Sequence, residues 1–152
     1  MNEGHTDQAY AGVRCRHHPN CVVCSPRNDG GWQLRFTRNT DSSVGTSFDC
    51  DPVWEGYPNC LHGGMIATLL DVAMTNCLFA HGKAAFTAEL TVRFREVVIT
   101  ARPATLRAWL VQSSSRLHRM RAELQQDERV KVTATAIFLP SPALTTSLEV
   151  LP

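Results

Sequence analysis

Between Glu55 and Lys83 a single side chain carries a formal charge, Asp71, and it lies inside an otherwise apolar run. An aspartate in mid-helix has poor propensity and is costly to bury unpaired. Thr68 and Thr75, one turn to either side, or backbone donors can satisfy it as a plain core residue. The residues just before the run point further. His62-Gly63-Gly64 puts two glycines where the first N–H groups of a helix have no intrahelical partner. Nothing there keeps a carbonyl from the backbone, and the helix dipole favours a developing negative charge. An amide donor and a lone carboxylate are the minimum set for acyl transfer: an oxyanion stabiliser and a general base or nucleophile. On one helix they stand about 12 Å apart at 1.5 Å per residue. They cannot converge on one small group, so Asp71 of one chain is expected to serve the helix start of a second copy.

The elements that must hold these residues follow from periodicity. Met65, Ile66, Leu69, Leu70, Ala73, Met74, Cys77 and Leu78 recur at helical spacing, predicting a helix over 63–81 that is enclosed on most sides and stopped by Gly82. Trp32, Leu34 and Phe36 alternate with polar residues and predict a first strand; 44–50 predicts a second. After the helix, 86–94, 105–112, 117–124 and 130–139 alternate in the same way, with Ser113–Ser115 and Gln126–Glu128 as turns. Strands joined this closely pair antiparallel. Two strands, a buried helix and four strands give an α+β domain: a curved antiparallel sheet of five to six strands wrapped around one central helix. Residues 1–31, rich in Gly, Pro and Asn, predict an irregular Cys/His-containing arm; the domain proper runs over 32–140, and 141–152 is a C-terminal tail.

His62-Gly63-Gly64-Met-Ile-Ala-Thr-Leu-Leu-Asp71, preceded by Gly56-Tyr57-Pro58, resembles the signature of hotdog-fold acyl-CoA thioesterases of the phenylacetate-degradation (PaaI-like) type. The resemblance covers roughly 32–140 and implies the following. Gly63, beside Gly64, donates its N–H to the thioester carbonyl. Asp71 of the opposing subunit activates water or attacks the carbonyl. Thr87, on the next strand, orients the water, although its parity with Glu89 and Arg93 turns it away from the helix unless the strand is bulged or the site lies at a subunit seam. His62 shapes the loop. Basic residues near strand ends, here Arg116, Arg119 and Arg121, meet the phosphorylated end of coenzyme A. The chain is then a homodimer, or a homotetramer built from dimers. Two other readings share the fold: a hydratase or dehydratase using a histidine–carboxylate pair, for which His62 and Asp71 are the residues, and a non-catalytic acyl-CoA-binding protein.

Net charge is +1, with the basic excess confined to 93–131, which excludes bulk electrostatic binding of nucleic acid but suits an anionic ligand. The first twenty residues hold no apolar run, so neither a secretory signal nor an oxidising compartment is expected. No unbroken apolar stretch is long enough to span a membrane, and the expectation is a cytoplasmic protein. A disulfide framework is therefore not the reading of the six cysteines. Cys15, His18, Cys21 and Cys24 lie within ten residues, a spacing able to hold zinc. Without a second pair downstream, reduced thiols packing the arm are the expectation, with no cofactor and no metal.

Overall fold

The helical run predicted from its apolar spacing forms α2 (Gly63–Ala80) in the computed structural model, which describes residues 3–146 (side chains of 8–144). Around it the chain order is α1 (Glu3–His17), β1 (Thr37–Arg38), β2 (Val44–Asp49), a 3-10 turn at Pro52–Trp54, then α2, β3 (Phe86–Phe94), β4 (Pro103–Ser113), β5 (His118–Gln126), β6 (Arg129–Leu139) and α3 (Pro142–Thr146). The six strands form one antiparallel sheet in the order β1-β2-β4-β5-β6-β3. α2 packs against five of them, β2 to β6, which requires the sheet to curl around it as the hotdog arrangement does.

The core lies between α2 and the inner sheet face. Leu69, Leu70, Met74 and Leu78 meet Val44, Leu106, Met120, Leu124 and Phe138, all essentially without solvent exposure. Burial of each such side chain is worth about 1.5–3 kcal/mol, enough to hold a helix containing Asp71, Thr75 and Asn76. α2 has the length and apolarity of a membrane span, but most of it is enclosed by the protein's own sheet. Gly82 ends it at φ +69°, a left-handed conformation that glycine adopts without strain, while the Lys83 N–H closes on the Leu78 carbonyl.

Three expectations are corrected. The arm over 1–31 is not irregular throughout: residues 3–17 form α1. Its apolar face is too thin to give a periodic signal; Tyr10 and Val13 instead anchor it on the domain, the Tyr10 hydroxyl donating to buried Asn76 at 2.7 Å. The strand expected from Trp32 is reduced to Thr37–Arg38. Gln33, at φ 51°, breaks the extended run, and Trp32 and Leu34 bond back to the Val22 and Val23 carbonyls rather than to the sheet. The tail begins as the short α3; residues 147–152 of it lie outside the described part.

The strand that matters for function is β3, the sheet's edge. It pairs with β6 only, and most of its residues are exposed.

Candidate active site

The start of α2 is built by a loop that returns on itself. The Leu61 N–H bonds to the Val98 carbonyl and the His62 N–H to Trp54, fixing the entry angle of the chain. His62 is the N-cap, extended at φ −60° and ψ 132°, and its Nδ1 accepts the Gly64 N–H at 2.9 Å. This accounts for two glycines. A Cβ on Gly64 would sit 3.1 Å from Nδ1, and one on Gly56 would sit 3.1 Å from the other side of the same ring, so both positions are cleared for the capping imidazole. Gly63 is different. A Cβ there would meet nothing closer than the Phe94 ring at 3.4 Å, an ordinary contact. No acceptor among the described residues takes the Gly63 N–H. Of the two predicted helix-start donors, Gly64 is committed to the cap and Gly63 is available. With Nδ1 so used, His62 is a structural cap and forms no pair with Asp71 inside the chain.

Asp71 lies just over two turns along α2, half-buried, and its Oδ1 accepts a 2.7 Å hydrogen bond from the Thr87 hydroxyl. Burial pushes the Asp71 carboxyl above the ordinary aspartate range, while the Thr87 hydrogen bond and the nearby His18 pull it back. Thr68 and Thr75 do not serve it: their hydroxyls donate to the Gly64 and Asp71 backbone carbonyls one turn earlier.

Thr87 reaches Asp71 because of a bulge. Thr87 pairs with Phe138 and Glu89 with Ile137, so Ala88 is an extra residue on β3. Residues directly opposite on an antiparallel pair share a face, and Phe138 points into the core. Thr87 therefore faces α2, against its parity with Glu89. At the other end of β3, Phe94 pairs with buried Val132, faces the same way, and its ring lies where a side chain on Gly63 would meet it. The edge strand thus meets Asp71 of α2 through Thr87 at one end and lies near the start of α2 through Phe94 at the other.

The predicted phosphate-binding arginines lie elsewhere. His118, Met120, Ala122 and Leu124 fill the inner face of β5, so Arg119 and Arg121 alternate onto the outer face. There Arg121 joins Arg93, Arg95 and Trp109 along a groove of about 380 Å³, and Arg119 lines a second, adjoining one of about 250 Å³. Arg116 stands apart, exposed in the β4–β5 turn. Of the four metal-ligand candidates, His18, Cys21 and Cys24 have their donor atoms within 4.8 Å of one another beside α2, whereas Cys15 is exposed and outside the group. The sequence reading missed two neighbours of the site, His18 at Asp71 and Phe94 at Gly63. No periodic signal marks the first, and the alternation of β3 marks Phe94 only as a strand residue.

Residues 59–133 match the profile of the thioesterase superfamily. Over 63 residues the chain is 35% identical to the acyl-coenzyme A thioesterase THEM4 of Bos taurus, a stretch covering 41% of this chain and 25% of that protein. The chain thus spans a quarter of the length of this curated relative. A crystal structure of a thioesterase superfamily protein aligns with TM-score 0.74 and 27% identity over 82% of this chain and 63% of that one. A phenylacetic acid degradation-related protein from Ralstonia eutropha JMP134 aligns with TM-score 0.69 and 20% identity over 87% and 99% of the two chains.

Proposed function

Because residues 59–133 match the profile of the thioesterase superfamily, we propose that this chain hydrolyses an acyl-CoA thioester to the free carboxylic acid and coenzyme A. The observation that carries this reading is the Thr87–Asp71 hydrogen bond on the edge strand whose other end, at Phe94, lies near Gly63. If β3 pairs antiparallel with β3 of a second copy about a two-fold axis, the Thr87 end of each strand lies beside the Phe94 end of the other. Asp71 of one protomer then faces Gly63 of its partner, and two complete sites form from four half-sites. The exposed edge is consistent with such a partner, because unpaired edges are otherwise a liability.

In the assembled site the thioester carbonyl oxygen accepts the Gly63 N–H, reinforced by the α2 dipole, as negative charge develops in the tetrahedral state. Ionised Asp71 removes a proton from water, the hydroxide adds to the carbonyl carbon, and the C–S bond breaks with the CoA thiolate taking a proton. Burial, which raises the pKa of Asp71, makes it a better proton acceptor than a solvated aspartate. Thr87 holds one oxygen and leaves the other for water. The outer-face arginines, Arg93, Arg95, Arg119 and Arg121, supply the positive field for the phosphates of CoA, a role the name of the bovine relative supports and the cationic grooves suit.

The test is complementation. Asp71→Asn and Gly63→Pro chains, each inactive alone against an acyl-CoA panel read by free thiol release, are co-expressed. If Asp71 serves the partner's helix start, each heterodimer has one intact site, and random pairing restores about a quarter of wild-type activity. No recovery in verified heterodimers would sink the shared site. Absence of thiol release by the wild type across aryl and straight-chain acyl-CoAs would sink the hydrolase reading itself.

A further inference from the structure

The segment linking α1 to the domain packs three donors against α2 that the proposed hydrolysis does not use. His18, Cys21 and Cys24 follow an i, i+3, i+6 spacing, and their ligand atoms all lie within 4.8 Å of one another. The Cys24 Sγ to His18 Nδ1 separation is 3.6 Å. Two ligands of one tetrahedral zinc, at about 2.3 Å for sulfur and about 2.0–2.1 Å for nitrogen, stand about 3.6 Å apart by simple trigonometry. The surroundings hold the donors in place. The Val23 N–H points at Cys21 Sγ from 3.4 Å, and the Arg14 guanidinium donates to the Cys24 carbonyl at 2.9 Å. Edge contact with the Phe79 ring, centroids 4.9 Å apart, fixes the His18 imidazole. Partners that orient ligands from behind in this way are what metal sites require.

We propose that His18, Cys21 and Cys24 bind one zinc ion that staples the α1 arm to α2 beside Asp71. Two thiolates and an imidazole are the donor set that selects a soft, tetrahedral divalent ion. Binding displaces the two thiol protons to solvent and leaves the imidazole neutral, so the charge of the ion and its protein ligands sums to zero. Among the described residues no fourth histidine, cysteine or carboxylate joins the group. A small ligand such as water completes the shell, as in other three-ligand sites. The other thiols make a useful contrast. Cys50 and Cys77 are buried away from any such group, and burial holds each up at about 11.

Elemental analysis of the purified whole chain is expected to find about one zinc per chain. Cys21→Ser, Cys24→Ser and His18→Ala should each lose it, and Cys15→Ser should keep it. A direct check needs no variant: the chelator-stripped wild type titrated with Co²⁺ should develop thiolate-to-cobalt charge transfer and tetrahedral ligand-field bands, saturating at about one equivalent. A metal-free wild type that gives no cobalt bands overturns the proposal. So does retention of full zinc by the Cys24→Ser chain, or a Cys21–Cys24 disulfide found by mass in place of metal. None of these readouts depends on thioester hydrolysis, so the metal site and the hydrolase reading stand or fall separately.

Discussion

The two ends of β3 differ in how they meet α2. At the Phe94 end the ladder with β6 is regular, residue for residue from Glu89 to Phe94, and the ring reaches Gly63 through ordinary packing. At the Thr87 end an extra residue turns a threonine inward onto a carboxylate. The first end offers an uncharged backbone donor that needs no special geometry beyond a capped helix. The second holds a half-buried acid, and an acid in that setting demands a partner placed to within a hydrogen bond, hence the local break in the sheet. A regular strand suffices for the donor; only an irregular one suffices for the base.

That contrast can be broken from either side. Asp71→Asn removes the proposed base, keeps the size and the Thr87 contact, and is expected to lower kcat by about 10²–10⁴-fold with the fold unchanged. Turnover at the wild-type rate would remove Asp71 from the mechanism. Gly63→Pro removes the donor. Proline is well tolerated at the first helical position, and His62 already has the extended conformation a following proline needs, so the helix should persist by circular dichroism while kcat falls about 10²–10³-fold. Thr87→Val tests the bulged end more gently. Losing the hydroxyl removes an interaction that favours the ionised carboxylate, so the pKa of Asp71 rises further. Because the ionised form is the base, the acid limb of the kcat–pH profile should move to higher pH. An unmoved limb would mean that Thr87 does not set the proton affinity of Asp71. His62→Ala should act mainly on stability. Losing the cap costs about 1 kcal/mol, or roughly 2–4 °C in Tm for a chain of this size. A collapse of kcat with unchanged Tm would instead put the imidazole in the chemistry.

How much of this could be read in advance varies from residue to residue. The extent of α2, its stop at Gly82 and five of the six strands follow from the local residue pattern, because those elements bury one face and write that face into the order of residues. Asp71 and Gly63 stand out by contrast with their neighbours, an acid among apolar side chains and a bare backbone at a helix start. The inward turn of Thr87 is not legible, since Ala88 looks like any strand residue and the bulge exists only relative to β6. Nor is α1, which lacks a broad apolar stripe and is anchored by Tyr10 on Asn76 sixty-six positions away. Trp32 to Phe36 gives a strand-like alternation that the left-handed Gln33 interrupts.

The sequence by itself therefore determined the apolar helix, the antiparallel strands and the types of group able to move an acyl chain, because periodicity and composition act locally along the chain. Tertiary structure alone decided which of two glycine amides is spoken for, that Thr87 faces the acid, and that His18, Cys21 and Cys24 converge beside α2 without Cys15. Thr87 and Asp71 stand on different elements, and even the short-range distances depend on how each segment is held by its neighbours, so packing sets them rather than the order of residues.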